Sequence, residues 1–280
     1  MSPPLREQQR LLLRSGNTRT RNKGVLERWS NGVMGNSDTP ILQINYCMEP
    51  EMDRKTKIIE TALKEGRKTL SEYESKDFLK SYGIPVTREI LVHSREEYIK
   101  AAHAIGYPLV LKGCSPHLAH KTEKGLVRVD IRSEQEAILA FDDLTSRMEG
   151  AEKDVLVQEM IKGTRELVVG MTRDPQFGPC VMFGLGGIFT EILKDIAFRV
   201  APLEKRDALD MTQEIKAHKI LGAVRGMPAA DMDLLSDILV KVGEIGMENE
   251  LIQEIDINPL ILSGAKPVAV DALIVLKPAG

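Results

Sequence analysis

Aromatic residues and cysteines are scarce in this chain of 280 residues. Aromatic side chains make up only 4% of the sequence, which leaves few platforms on which nucleic-acid bases could stack. The three cysteines, Cys47, Cys114 and Cys180, are far apart and odd in number, which fits neither a disulfide framework nor a zinc site. We therefore expect the protein to work in a reducing cytoplasm.

The chain also lacks a long apolar run and an excess of positive charge. No apolar stretch approaches the roughly 20 residues that a membrane-spanning helix needs. A formal net charge of −3 and a pI near 6.0 argue against a nucleic-acid-binding protein, which normally carries a basic excess. With 42% hydrophobic and 28% charged residues, the composition is ordinary for a soluble globular enzyme. The length allows one large domain or two small ones.

The first fifty residues differ from the rest of the chain in composition. Residues 1–48 contain seven Arg or Lys and three acidic residues, are rich in Ser, Asn and Gly, and show no sustained apolar periodicity. This composition predicts a disordered extension over residues 1–51. Two origins are open: an Arg-rich organelle transit peptide, or a translation start placed upstream of a true first residue at Met52.

Regular secondary structure is predicted from Met52 onward. Three capping-box patterns each open a predicted helix, and they pair Ser71 with Glu74, Ser94 with Glu97, and Ser133 with Glu136. Strands are predicted at Pro108–Lys112, Gly125–Ile131, Val155–Ile161, Leu167–Met171 and Pro179–Phe183, then helices near 204–217 and 231–246, and a closing hairpin of Ile252–Leu262 with Pro267–Leu276. This order predicts an α/β or α+β layer fold of two lobes, 52–157 and 158–280.

Polar side chains interrupt two predicted strands at positions where the alternation of apolar residues predicts a buried face. Gln158 and Glu159 end one strand, Glu166 begins the next, and Gly163-Thr164-Arg165 forms the turn between them. One interpretation is an ordinary hairpin with acids on its surface. The functional interpretation is that one acid, or its backbone, binds the amino group of adenine while the other accepts hydrogen bonds from the ribose hydroxyls.

A second group of polar residues lies in the predicted closing hairpin. Asp256 and Asn258 stand on its first strand, and Asp271 stands on the returning strand. Opposed residues of a hairpin lie close together, so the oxygens of Asn258 and Asp271 should meet across it. Carboxylate and carboxamide oxygens together with phosphate oxygens are the ligands that Mg²⁺ prefers. The sequence therefore predicts a Mg-nucleotide site on a sheet.

Lys112 ends an apolar strand and leads into a polar loop. Such a lysine is usually just solvated, but it can also hold a positive charge against the phosphates of a nucleotide. The loop that follows carries His117 and His120 beside several lysines; neighbouring cations favour a neutral imidazole, which can accept a phosphoryl group. The glycines of 184–187 either form a plain turn or approach phosphates through their N–H groups.

From Met52 to Leu276 the chain resembles the ATP-grasp β subunit of NDP-forming acyl-CoA synthetases, the group of ADP-forming acetyl-CoA synthetases, which is related to succinyl-CoA synthetase. The matching motifs cover nearly the whole of that range and are Tyr82-Gly83-Ile84-Pro85-Val86, Ile105-Gly106-Tyr107-Pro108 leading to Lys112, Ser115-Pro116 through His120-Lys121, the segments 173–179, 183–189, 191–195 and 198–202, and Asp256-Ile257-Asn258-Pro259.

The resemblance implies an ATP-grasp fold of two lobes with the nucleotide between them, and it assigns roles to individual residues. It implies that Lys112 contacts the ATP phosphates and that Glu166 holds the ribose. Either Gln158 or Glu159 is implied at the adenine, with Ile161 in the same segment. Asn258 and Asp271 are implied as Mg²⁺ ligands, with Asp256 nearby. His120 matches a loop histidine of the family that carries a phosphoryl group towards ADP.

The reaction that the resemblance implies is acyl-CoA + phosphate + ADP ⇌ free acid + CoA + ATP, relayed through phosphohistidine. Because no segment resembles a CoA-binding domain, we expect a CoA-binding α subunit as partner in an α2β2 assembly. Two other functions are open. A non-catalytic ATP-grasp module associated with an acyltransferase would not need the residues of the reaction, which this chain retains: His120, Lys112, Asn258 and Asp271. A carboxylate–amine ligase would need no relay histidine, so His120 speaks against it.

Overall fold

The computed structural model describes residues 50–115, 125–148, 153–187 and 195–277. The predicted extension lies outside the described residues apart from the start of the first helix, and so does the loop with His117 and His120. The helices are α1 (Pro50–Lys64), α2 (Glu72–Ser81), α3 (Arg95–Ile105), α4 (Glu134–Arg147), α5 (Lys205–Glu214) and α6 (Met232–Glu248), with a 3₁₀ turn at His218–Leu221. The strands are β1 (Glu89–Val92), β2 (Leu109–Gly113), β3 (Val127–Ile131), β4 (Val155–Glu159), β5 (Glu166–Asp174), β6 (Gly178–Leu185), β7 (Ile196–Val200), β8 (Ile252–Ser263), β9 (Lys266–Ala269) and β10 (Ala272–Leu276).

The smaller sheet has four antiparallel strands in the order β1-β4-β2-β3. Side chains of a strand alternate between its two faces, and opposed residues share a face. Leu109 and Leu111 of β2 therefore lie on one face with Val155 and Val157 of β4, and this face forms a hydrophobic core with α3 and α4. The other face carries Lys112 opposite Leu156, and Gln158 opposite Val110.

The larger sheet has six strands, ordered β10-β8-β5-β6-β7, with β9 paired to the end of β8. Its core face contains Ile255 and Ile257 of β8 and packs against α5 and α6. By alternation, Asp256 and Asn258 lie on the opposite face. The fold thus places the polar residues of β8 away from the hydrophobic core, which accounts for their presence in an otherwise apolar strand.

The first helices belong to the core of the larger sheet, although they precede the smaller one in the chain. Ile59 of α1 and Phe78 and Leu79 of α2 are buried in the same cluster as β8 and β10. The chain then reaches the smaller sheet past Ala269, the last residue of β9: the N–H of Thr87 donates to the Ala269 carbonyl, and the carbonyl of Pro85 accepts from the Ala269 N–H. The predicted lobe boundary at 157/158 falls within β4, and it stays a prediction.

The three predicted helix starts are confirmed. The side chains of Ser71, Ser94 and Ser133 each accept a hydrogen bond from the backbone N–H three residues later, so each satisfies an N–H that the helix leaves without a partner. The full capping box, with the Glu side chain returning to the N-cap N–H, forms at Ser71. Two short strands, β1 and β7, were not predicted.

Two predicted connections differ from the structure. The strands on either side of Gly163-Thr164-Arg165 are not a hairpin, since β4 lies in the smaller sheet and β5 in the larger one. The closing hairpin is also interrupted, because its returning arm is two strands, β9 and β10, separated at Val270 and Asp271. Within the described ranges, no helix is long and apolar enough to cross a membrane.

Candidate functional site

Lys112 is buried at the end of β2, and its ammonium group is held from several sides. Its Nζ donates to Glu72 Oε1 at 2.6 Å and to the carbonyl oxygen of Val270 at 3.0 Å. Asp271 Oδ2 lies 3.8 Å from the same nitrogen. Burial alone would lower the pKa of Lys112, but the charges of Glu72 and Asp271 outweigh it and the pKa is raised. Lys112 is therefore a fixed cation beside Asp271.

A second buried lysine, Lys76 of α2, shares two partners with Lys112. Lys76 is fully buried. Its ammonium contacts Glu72 Oε1 at 2.9 Å, Thr87 Oγ1 at 3.3 Å, Gln158 Oε1 at 2.8 Å, the carbonyl oxygen of Val270 at 3.2 Å, and the carboxylate of Glu89. Buried charges are tolerated only when they are paired and hydrogen-bonded, and this cluster supplies both conditions. The cluster links α2, the smaller sheet and the β9–β10 connection.

The carbonyl oxygen of Val270 is available to accept hydrogen bonds from both lysines because Pro259 stands opposite it. The N–H of Val270 donates to the carbonyl of Pro259 at 3.0 Å. In an antiparallel pair the reciprocal bond would come from the N–H of Pro259, but proline has none. The Val270 oxygen therefore accepts from Lys76 and Lys112 instead. Pro259 is thus part of the reason that the ladder breaks at Val270 and Asp271 and that the lysines converge there.

The structure brings together Asn258 and Asp271, which were predicted as metal ligands, and Asp256, which was predicted to lie near them. The backbone N–H of Asn258 donates to the carbonyl of Asp271 at 3.2 Å, so Asn258 of β8 stands opposite Asp271 of the β9–β10 connection. Asp256 lies on the same face of β8 as Asn258. Burial, together with the smaller effects of the charges of Glu254 and Asp271, raises the pKa of Asp256 to about 7.

The donor set around Asn258 and Asp271 is suited to Mg²⁺ only in part. In the described ranges, no three His, Cys, Asp or Glu side chains are grouped to hold a metal ion. Two protein oxygens beside a lysine instead fit a Mg²⁺ ion that takes its remaining ligands from phosphates and water, which is its usual mode in nucleotide sites. The residues present therefore fit a metal that arrives with a nucleotide.

Gln158 and Glu159, the two residues predicted as alternatives at the adenine, lie at the end of β4 and face opposite sides of the smaller sheet. The carboxylate of Glu159 accepts from the backbone N–H of Arg88 at 2.7 Å and from its Nε at 2.8 Å. Gln158 faces the other way, on the face of Lys112, and its Oε1 is bound by Lys76. The side chain of Gln158 is fully buried. Ile161 follows in the segment that crosses to the larger sheet.

Glu166, the residue predicted at the ribose, begins β5 beside the glycines of 184–187. The N–H of Gly186 donates to the carbonyl of Glu166 at 2.8 Å, so it is used within the sheet and is not free for a phosphate. A Cβ on Gly186 would lie 2.8 Å from the Leu167 carbonyl oxygen, and one on Gly187 would lie 2.6 Å from Glu166 Oε2. Because Gly186 and Gly187 have no side chains, the β5 backbone and the Glu166 carboxylate can lie close to them.

The sequence interpretation missed Glu72, Lys76 and Glu89. Glu72 and Lys76 are four residues apart on a helix, a spacing typical of exposed ion pairs. The sequence did contain a signal: Glu72 and Lys76 share a helical face with the apolar Leu79, because the spacings of four and three residues place all three on one side of α2. This side is the buried one, so both charges are buried. His120 lies outside the described residues, and its predicted role stays a prediction.

Comparison with known proteins identifies the family of the chain. A family model described as an ATP-grasp domain matches residues 61–276. The β subunit of acetate–CoA ligase (ADP-forming) I from Pyrococcus furiosus is 47% identical over 233 residues, which are 80% of this chain and 100% of that subunit. Acetate–CoA ligase (ADP-forming) I from Archaeoglobus fulgidus is 38% identical over 231 residues, which are 81% of this chain and 33% of that protein.

A solved structure of acetyl-coenzyme A synthetase 1 from Candidatus Korarchaeum cryptofilum is also similar. It is in complex with coenzyme A and Mg-AMPPCP, and its phosphohistidine segment points towards the nucleotide-binding site. The TM-score is 0.71 at 44% sequence identity, with 80% of this chain and 100% of the matched chain covered. These matches confirm the predicted ATP-grasp fold and the predicted relationship. The chain belongs to the ATP-grasp family, in the group of β subunits of ADP-forming acetate–CoA ligases.

Proposed function

We propose that the chain is the nucleotide-binding β subunit of an ADP-forming acyl-CoA synthetase. The reaction is acyl-CoA + phosphate + ADP ⇌ free acid + CoA + ATP. The observation that carries the proposal is the meeting of Lys112 Nζ and Asp271 Oδ2 at 3.8 Å, with Asn258 opposite Asp271. A fixed cation beside two oxygen ligands matches the terminal phosphates of a nucleotide and the divalent ion bound to them.

Lys112 is suited to phosphate binding by the way its donors are used. An ammonium group has three N–H donors. Two of them bind Glu72 and Val270, which leaves the third on the side of Asp271. Lys112 would neutralise developing charge on the phosphates without having to reorganise. Lys76, by contrast, is fully buried and has several partners, so it acts as a structural anchor.

Asn258 and Asp271, with Asp256 nearby, would hold Mg²⁺. When bound, the ion would neutralise charge on the phosphate oxygens and fix their geometry. Glu166 would accept hydrogen bonds from the ribose hydroxyls, and the segment of Gln158, Glu159 and Ile161 would bind the adenine. His120, which stands between β2 and β3 in the sequence, would accept the phosphoryl group and pass it to ADP, so that the nucleotide and CoA sites can remain apart.

A CoA-binding α subunit would complete the enzyme, and we propose an α2β2 assembly in the cytoplasm. The support is the difference in length between two relatives. The Pyrococcus furiosus β subunit is covered completely by this chain, whereas the Archaeoglobus fulgidus enzyme is covered over 33% of its length. The rest of the longer protein can carry in one chain what a separate subunit supplies elsewhere. The identity of the acid would be set mainly by that partner.

The experiment is calorimetry of ADP binding to the full chain with and without Mg²⁺. Wild-type protein should bind Mg-ADP more tightly than ADP alone. Asp271→Asn should weaken Mg-ADP binding about tenfold or more, because it removes an anionic ligand, and should largely abolish the effect of Mg²⁺. Asp237→Asn, on the exposed side of α6, is the matched control and should bind as wild type does. An unchanged affinity and Mg²⁺ dependence in Asp271→Asn would contradict the assignment.

A further inference from the structure

Two carboxylates compete for the ammonium group of Lys112. Glu72 Oε1 accepts a hydrogen bond from Lys112 Nζ at 2.6 Å, whereas Asp271 Oδ2 lies 3.8 Å from the same nitrogen, beyond hydrogen-bond distance. The side chain of Glu72 is 1% exposed and that of Asp271 is 39% exposed. Water weakens the attraction between charges, so the buried carboxylate attracts the ammonium more strongly than the solvated one does.

Glu72 is itself held in place, so it cannot follow the ammonium group. It is the first residue of α2 and directly follows the N-cap Ser71. The oxygen that binds Lys112 also accepts a hydrogen bond from Lys76 Nζ at 2.9 Å, and Lys76 is fully buried and paired with Glu89. Separating a buried ion pair is costly, because it leaves a buried charge uncompensated. Glu72 therefore keeps the ammonium of Lys112 at a fixed position.

This position matters because Asp271 is a proposed ligand of Mg²⁺. A carboxylate oxygen must come within about 2.0–2.1 Å of Mg²⁺ to bind it. A lysine hydrogen-bonded to that oxygen would have to be displaced first, since the ammonium and the metal ion are both positive. At 3.8 Å from Asp271 Oδ2, Lys112 forms no such hydrogen bond but still places its charge at the phosphate side of the site.

We propose that Glu72 is a positioning residue that keeps the ammonium of Lys112 from pairing directly with Asp271, so that the lysine binds phosphate while the aspartate binds Mg²⁺. This inference rests on the proposed nucleotide function and deepens it. Glu72 touches neither the nucleotide nor the metal and acts through Lys112. Removing its charge should therefore impair Mg²⁺ binding only when Lys112 is present.

The test is a Mg²⁺ titration of ADP binding, followed by calorimetry of the full chain as wild type, Glu72→Gln, Lys112→Met and the double variant. Glutamine keeps the size of the side chain and loses its charge, so Lys112 should pair with Asp271. The Mg²⁺ concentration that gives half of the tightening should rise about tenfold in Glu72→Gln, because one charged hydrogen bond must then be broken. In the Lys112→Met background the same substitution should leave this concentration unchanged. Glu96→Gln, on the exposed face of α3, is the matched control and should behave as wild type.

The dependence on Lys112 distinguishes positioning from a purely structural role. An unchanged Mg²⁺ requirement in Glu72→Gln would overturn the inference. An equal rise in both backgrounds would also overturn it, because Glu72 would then support the fold of the site without acting through the lysine. If wild type binds ADP equally with and without Mg²⁺, the proposed function itself fails.

A second variant keeps the test decisive if Glu72→Gln does not fold, which a thermal melt reports. Removing one buried acid unbalances the two buried lysines, whereas Glu72→Gln/Lys76→Met removes one charge of each sign. This variant should show the same rise of about tenfold in the Mg²⁺ requirement, because Lys112 again lacks its charged partner. A folded Glu72→Gln/Lys76→Met protein with the Mg²⁺ requirement of wild type would contradict the inference.

Discussion

A His120→Ala variant, assembled with its CoA-binding partner, is expected to lose ADP-forming turnover completely within the detection limit. The expectation follows from the proposed relay, in which His120 is the covalent carrier between the partner's site and ADP. Removing a covalent carrier deletes a step, and tighter binding elsewhere cannot replace it. The affinity for Mg-ADP should be nearly unchanged, because the residues proposed to bind the nucleotide are all retained. Turnover is measured as ATP formed from acyl-CoA, phosphate and ADP.

His117→Ala is the matched control for this experiment. It removes an imidazole three residues away in the same loop, so it tests whether any change in the loop stops turnover. We expect it to keep most of the activity. Activity retained in His120→Ala but lost in His117→Ala would mean that the wrong histidine carries the phosphoryl group.

Lys112→Met should weaken ADP binding about 100-fold, the second largest effect that we expect, because an ammonium that binds phosphates contributes roughly 2–3 kcal/mol. AMP binding should change much less, since AMP lacks the terminal phosphates that Lys112 is proposed to contact. Methionine has a similar length, so packing at the end of β2 should be nearly preserved. Affinities for both nucleotides are measured by calorimetry, and a thermal melt reports the fold.

The control for Lys112→Met is Lys100→Met, which removes a lysine on the exposed face of α3. It forms an ion pair with Glu96 one turn away, and exposed pairs of this kind stabilise helices by a few tenths of a kcal/mol. Nucleotide affinity should be unchanged. Equal losses of ADP and AMP affinity in Lys112→Met would show that the lysine supports the fold of the site and does not contact the phosphates.

The local parts of this fold could be predicted from the sequence. Helix starts at Ser71, Ser94 and Ser133 depend on groups within three residues of each other, so the sequence contains all the information needed. The polar residues of β8 could be identified because alternation predicts which side of a strand is buried. That argument needs no knowledge of which strand lies next to which.

The parts that depend on distant residues could not be predicted. Nothing in Glu159 to Glu166 indicates that the two adjoining strands belong to different sheets. The short strands β1 and β7 lie at the edges of their sheets and have only one buried residue each, so burial imposes no clear apolar alternation on them. The acceptor role of the Val270 carbonyl requires Pro259 opposite it and Lys76 from a helix almost 200 residues earlier. Such a site exists only in the folded chain.

Phosphate labelling of the isolated chain tests the central claim most directly. After incubation with Mg-ATP labelled at the terminal phosphate, the wild type should carry label that is lost in acid and stable in base, which is the behaviour of phosphohistidine. The label should disappear in His120→Ala and remain in His117→Ala. An unlabelled wild type that still binds ATP tightly would contradict the relay and favour a non-catalytic ATP-grasp module.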